Sequence, residues 1–143
     1  MKKQFLLIFL FVLLAGFVKA QNYVQYLEPP KPGGSPLSGA VRVGNMLYLS
    51  GQIGIDPKTG KLAEGGIEAE TKQTLENIKA LLERNGSGLD KIVKVTVFLT
   101  DMKEWSRMNA VYRTYFTNHF PARSAVGVNI DFRLEIECIA VIK

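Results

Sequence analysis

The sequence predicts an α+β domain, a mixed β-sheet of about six strands with two helices packed on one face. Two observations carry this. Short segments with period-two apolar alternation are interrupted twice by stretches of three-to-four-residue periodicity. The resulting order, β-β-α-β-α-β-β with an additional N-terminal strand, contains two strand–helix–strand crossovers. Right-handed crossovers lay both helices over the same face of the sheet.

The chain begins MKKQFLLIFLFVLLAGFVKAQ. Lys2 and Lys3 form a basic head, Phe5 to Val18 is an apolar run with one glycine, and Val18-Lys19-Ala20 suits a signal peptidase. The run of 14 residues is short against the roughly 20 needed to span a bilayer. The pattern predicts a signal peptide over residues 1–20, cleavage after Ala20, and a single exported, periplasmic domain over residues 21–143. The membrane is then met only in transit. Removal of Lys2, Lys3 and Lys19 from 18 basic against 13 acidic residues leaves a net charge of +2. That balance makes no case for nucleic acid as a partner. Cys138 is the only cysteine, so there is no internal disulfide and no lipid-anchoring cysteine near residue 20.

From residue 21 the elements follow in order. Tyr23–Leu27 reads as a short edge strand before a loop rich in proline and glycine. AVRVGNMLYLSGQI holds two strands around the Gly44-Asn45 hairpin signal, and DPKTGK is a turn. From Ile67 to Asn85 the period becomes helical. Thr71, Leu75, Ile78, Leu81 and Leu82 share one face, and Gly86 follows as the C-terminal cap. Ile92–Leu99 alternates, with Val93, Val95, Val97 and Leu99 predicted on one face and Ile92, Lys94, Thr96 and Phe98 on the other. Asp101 and Glu104 predict a capping box that starts a second helix. Its stripe is Trp105, Met108, Tyr112, Tyr115 and Phe116, and it ends near His119 before Pro121. RSAVGVN and FRLEIECIAVI complete the order as strands joined by a turn at Asn129–Asp131.

In the last strand, Leu134, Ile136 and Cys138 alternate with Glu135, Glu137, Ile139 and Val141. If the first set meets the helices, the second lies on a bare face that mixes apolar and ionisable groups. Such a face suits an oligomer in which sheets meet.

Most catalytic kits are absent. One histidine builds no histidine metal cluster, and there is neither a P-loop nor a GxGxxG. His119 reads as a helix-end surface residue. In FPARSAV, Arg123 sits among apolar and small residues, where a guanidinium needs a partner. Glu135, on the next strand of the predicted hairpin, is one candidate. The pair reads equally as a structural ion pair within the sheet or as a carboxylate clamp beside an acid/base.

Several stretches together resemble the Rid/YjgF family of reactive imine/enamine deaminases: VGNMLYLSGQIGIDPKTGKL, QTLENIKALLERNGSGLDKIVKVTVFLTDM, MNAVYRTYF, FPARSAV and LEIECIAV. They span nearly all of the domain in family order. The resemblance implies a chorismate-mutase-like fold and a homotrimer with a central barrel, its active sites in clefts between subunits. It implies that Arg123 binds the substrate carboxylate and that Glu135 is the acid/base. Asn109 and Trp105 fall in the cleft, and backbone groups at Ser50, Gly51 and Ala125 complete it. The implied reaction is hydrolysis of 2-imino or 2-enamino acids to 2-keto acids and ammonia, with no cofactor and no metal. The alternative is a non-catalytic trimer that binds small carboxylates or a protein partner. Two positions depart from the family pattern: Leu37 stands where a cleft tyrosine is usual, and Ala125 where a cysteine often follows. The loop between Arg123 and Glu135 also looks shorter than usual.

Overall fold

The computed structural model describes residues 23–30 and 32–142. The predicted signal segment lies outside the described residues. Six strands, β1 (Val24–Leu27), β2 (Ala40–Val43), β3 (Met46–Gln52), β4 (Ile92–Leu99), β5 (Ala122–Gly127) and β6 (Leu134–Val141), form one sheet in the order β1-β2-β3-β6-β4-β5. Every neighbouring pair is antiparallel except β4–β5, which is parallel, so the sheet is mixed as predicted. Helices α1 (Ile67–Arg84) and α2 (Trp105–Tyr115) provide the crossovers from β3 to β4 and from β4 to β5.

The core lies between the helices and one sheet face. Leu75, Ile78, Leu81 and Leu82 of α1 and Met108 and Tyr112 of α2 bury against Leu47, Val95, Val97, Leu134, Ile136 and Cys138. Helix α1 ends as its sequence predicts. Ser87 N–H donates to Leu82 C=O (2.9 Å) and Gly86 N–H to Glu83 C=O (3.2 Å). Gly86 takes a positive φ of 77° to make this cap. Gly54 packs directly on α1: an added Cβ would lie 2.8 Å from Glu70 Cα and 2.9 Å from its carbonyl oxygen. Because this neighbour is helix backbone, Gly54→Ala is expected to destabilise the fold by about 1–3 kcal/mol, read by urea unfolding.

Four expectations are corrected. Val93 does not join Val95, Val97 and Leu99. The β4–β6 register shifts between Ile92 and Lys94, so a bulge turns Ile92 into the core and leaves Val93 44% exposed. Helix α2 does not begin with a capping box. The Asp101 carboxylate accepts from Lys103 N–H (2.9 Å) and caps a 3₁₀ turn, Met102–Glu104, that leads into the helix. Glu104 is drawn away to Arg133 (3.1 Å) and Arg107 (3.4 Å). The helix stops at Tyr115, short of His119, because Phe116 leaves helical geometry and stacks on Tyr112 at 4.5 Å.

The fourth correction bears on function. β5 and β6 are not a hairpin. β5 follows a helical crossover and therefore joins β4 in parallel, while β6 pairs with the opposite edge of β4. The connection passes over the end of β4, where Val128 N–H donates to Leu99 C=O and Thr100 N–H to Arg133 C=O, both at 3.0 Å. Arg123 and Glu135 are thus separated by a whole strand.

Cys138 is buried as predicted. Burial, with a smaller push from the Glu137 carboxylate, raises its thiol to about 12. An exposed thiol ionises near pH 8.5, so unfolding releases this proton more readily. The stability that Cys138 supplies is present below that value and is lost as the pH rises towards 12. Urea midpoints are expected to fall from pH 8 to pH 11. An aromatic disulfide reagent should label Cys138 only in denaturant; rapid labelling of the native protein would contradict its burial.

Candidate functional site

The site is built on the wall that α2 presents to β5. Trp105, Asn109 and Tyr112 lie at steps of four and three, one stripe of a helix. Arg123 shares a register position with Val95, a core residue, so its side chain points to the helix side of the sheet. There its Nη2 donates to Asn109 Oδ1 at 2.7 Å. The guanidinium carbon lies 4.8 Å from the Trp105 ring centroid and 4.4 Å from that of Tyr112. Two aromatic faces therefore hold the cation in position.

Nothing in this arrangement neutralises it. Among the described residues Arg123 has no carboxylate partner, and its buried Nη1 has no hydrogen-bond acceptor. The Tyr112 hydroxyl is likewise buried without a partner. Burial pushes this phenol up to about 12, with Arg123 offsetting part of the rise, so it stays a neutral donor at physiological pH. A cavity of about 340 Å³ opens on the group, lined also by Arg113, Phe120 and Pro121. A buried cationic donor and a buried hydroxyl, both unpaired, are unfavourable unless an acceptor arrives. The arrangement suits a small carboxylate.

Glu135 is elsewhere. Its neighbours Leu134 and Ile136 are fully buried under the helices, so alternation turns Glu135 to the bare face of the sheet. It meets Gly51 there. The β3–β6 register shifts between Leu49 and Gln52, and the resulting bulge carries Ser50 and Gly51 past β6. A Cβ on Gly51 would fall inside the Glu135 carboxylate, so only glycine admits this close approach. The Ser50 hydroxyl is engaged: it donates to Ser38 C=O at 2.6 Å, and Ser50 N–H donates to Gly39 C=O at 3.1 Å. These bonds tie the loop that bears the exposed Leu37 to β3.

One chain therefore brings Arg123, Asn109 and Trp105 together, and separately Glu135, Gly51 and Ser50. Ala125 lies two residues beyond Arg123 on the same face, packed against the core and outside the cavity lining. The structural ion pair between Arg123 and Glu135 does not form. Tyr112, Phe120 and Arg113 are additions that sequence reasoning missed. Tyr112 was legible as the third member of the Trp105–Asn109 stripe, but its apolar neighbours mark it equally well as core.

The family model described as Endoribonuclease L-PSP matches residues 30–142. The chain belongs to the Rid/YjgF/RutC family. A RutC family protein of Pyrococcus horikoshii is 51% identical over 114 residues, covering 78% of this chain and 90% of the relative. The 2-iminobutanoate/2-iminopropanoate deaminase of Salmonella typhimurium is 46% identical over 112 residues, 74% of this chain and 87% of that protein. Among solved structures, RidA from the Antarctic bacterium Psychrobacter superposes with a TM-score of 0.73 at 40% identity, covering 82% of this chain and 99% of its own. Yeast Mmf1 superposes at 0.75 and 40% identity, covering 85% and 100%. The six-stranded mixed sheet with two helices is the fold that this family shares.

Proposed function

We propose that the protein hydrolyses 2-imino acids, or their enamine tautomers, to 2-keto acids and ammonia. The observation that carries this is the Arg123 guanidinium, held between two aromatic rings with one N–H unpaired and no carboxylate beside it. The named activity of relatives at 41–46% identity supports the same reading.

In the proposed reaction Arg123 takes the substrate carboxylate with its guanidinium, which Asn109 holds in place through Nη2. Backbone N–H groups near Gly51 and Ala125 add orientation; β5 is an edge strand, so one side of it is open for such contacts. Glu135 directs a water at the imine carbon. The C–O bond forms as the C=N π bond opens onto nitrogen, Glu135 takes a proton from the water and passes it to that nitrogen, and the C–N bond of the carbinolamine then breaks as its hydroxyl loses a proton, releasing ammonia and leaving the ketone. Imine carbons are already electrophilic, so positioning carries most of the acceleration. Among the described residues no cluster of His, Cys, Asp and Glu is placed to hold a metal ion.

The placement of Arg123 and Glu135 on opposite sheet faces has a direct consequence on this reading. A single chain cannot bring both to one substrate, so the site needs Arg123 of one subunit and Glu135 of another. A homotrimer whose bare sheet faces line a central barrel provides such clefts. On the same reading residues 1–20 direct export, and the mature deaminase begins at Gln21.

A second reading is favoured by that same separation. A non-catalytic trimer would hold small carboxylates with Arg123, Asn109 and the two aromatic rings alone, and would bind keto acids without turning imines over. The deciding test generates 2-iminobutanoate with an amino-acid oxidase in the presence of semicarbazide. Loss of trapped imine on adding protein supports the deaminase. Unchanged trapping by an assembled, keto-acid-binding protein would favour the binding module.

A further inference from the structure

We propose that the cavity is built for 2-imino acids that carry a second carboxylate, and that Arg113 binds that second group. This rests on the deaminase reading above and narrows its substrate class.

Trp105, Asn109 and Arg113 are spaced four residues apart on α2, so all three lie along one wall of the cavity. Arg123 bonds to the middle member. Arg113 comes one turn later, about 6 Å along the helix axis, where its guanidinium sits over the Phe120 ring at 5.8 Å. The cavity lining therefore includes two arginines and no aspartate or glutamate. Among the described residues neither arginine has a carboxylate partner.

Both arginines border one cavity, Arg113 at its exposed side, and a ligand with a negative group at each end pairs with both. A short monocarboxylic imine occupies only the Arg123 end. A four- or five-carbon dicarboxylic imine spans about a helical turn. Its chain would lie along the apolar faces of Tyr112 and Phe120, and about 340 Å³ is ample for it. The plain alternative for Arg113 is a cation in the last turn of a helix, favoured there by the helix dipole. That role predicts no discrimination among substrates.

The test uses the assembled protein and two stable products, 2-oxobutanoate and 2-oxoglutarate, titrated calorimetrically. Turnover of the imines of the matching amino acids is measured in parallel. Wild type is expected to bind the dicarboxylate about 10-fold or more tightly than the monocarboxylate, the scale of one charge-assisted contact. Arg113→Gln should collapse that ratio, and Arg113→Lys should keep much of it. Equal affinities in wild type, a ratio that survives Arg113→Gln, or no binding of either acid would overturn the proposal. If the ratio behaves as expected but no imine is consumed, only the deaminase reading fails. If imines are consumed without preference for the dicarboxylate, only this proposal fails.

Discussion

Arg123→Ala is expected to lower kcat/KM for imine hydrolysis by roughly 10²–10⁴-fold while leaving the fold in place. Two charge-assisted hydrogen bonds from a guanidinium to a carboxylate contribute about 3–6 kcal/mol, which sets that range. Among the described residues the Arg123 side chain hydrogen-bonds to Asn109, and the substitution removes a buried N–H that has no partner. The thermal midpoint should therefore move little. Arg123→Lys should recover only part of the activity. An ammonium keeps the charge but neither presents a planar fork nor stacks between Trp105 and Tyr112 in the same way. Steady-state kinetics beside a melting curve make the comparison. Wild-type turnover in folded Arg123→Ala would show that Arg123 does not hold the substrate.

Gly51→Ala is expected to reduce kcat by about 10²-fold, the loss that follows when a reacting group is displaced by about 1 Å. The added methyl would occupy the space of the Glu135 carboxylate. What it meets is the mobile end of a side chain, so Glu135 can swing aside and stability should change little. Gly54→Ala makes a useful contrast, since its Cβ meets the backbone of α1. The first substitution should impair chemistry with the fold intact, and the second should impair the fold. Glu135→Gln measured in parallel isolates the carboxylate itself. If Gly51→Ala keeps wild-type kcat, the seat of Glu135 over Gly51 has no part in the reaction.

Much of this molecule is legible along the chain because its determinants are local. The stripe from Thr71 to Leu82, the Gly86 cap and the Leu134–Cys138 alternation each occupy a few neighbouring residues, and each is found where its period places it. Boundaries are less legible where tertiary partners compete. Glu104 serves Arg133 and Arg107 instead of a capping box. Val93 is expelled because a bulge, invisible to strict alternation, inserts one extra residue against β6.

The candidate site divides in the same way. That Arg123 needs a partner follows from its residue type and its neighbours in sequence. That the partner within this chain is Asn109 and two aromatic rings, and not Glu135, follows only from the order of strands. Periodicity assigns a residue to a face, but it carries no information on which edge of β4 a later strand will take. That choice depends on contacts far apart in sequence, on the helix that must cross between β4 and β5, and on the loop that must pass over the end of β4. Local residue pattern is enough to specify the elements, most of the core faces and the reactive side chains. The tertiary structure alone decided that Arg123 and Glu135 stand on opposite sides of one sheet.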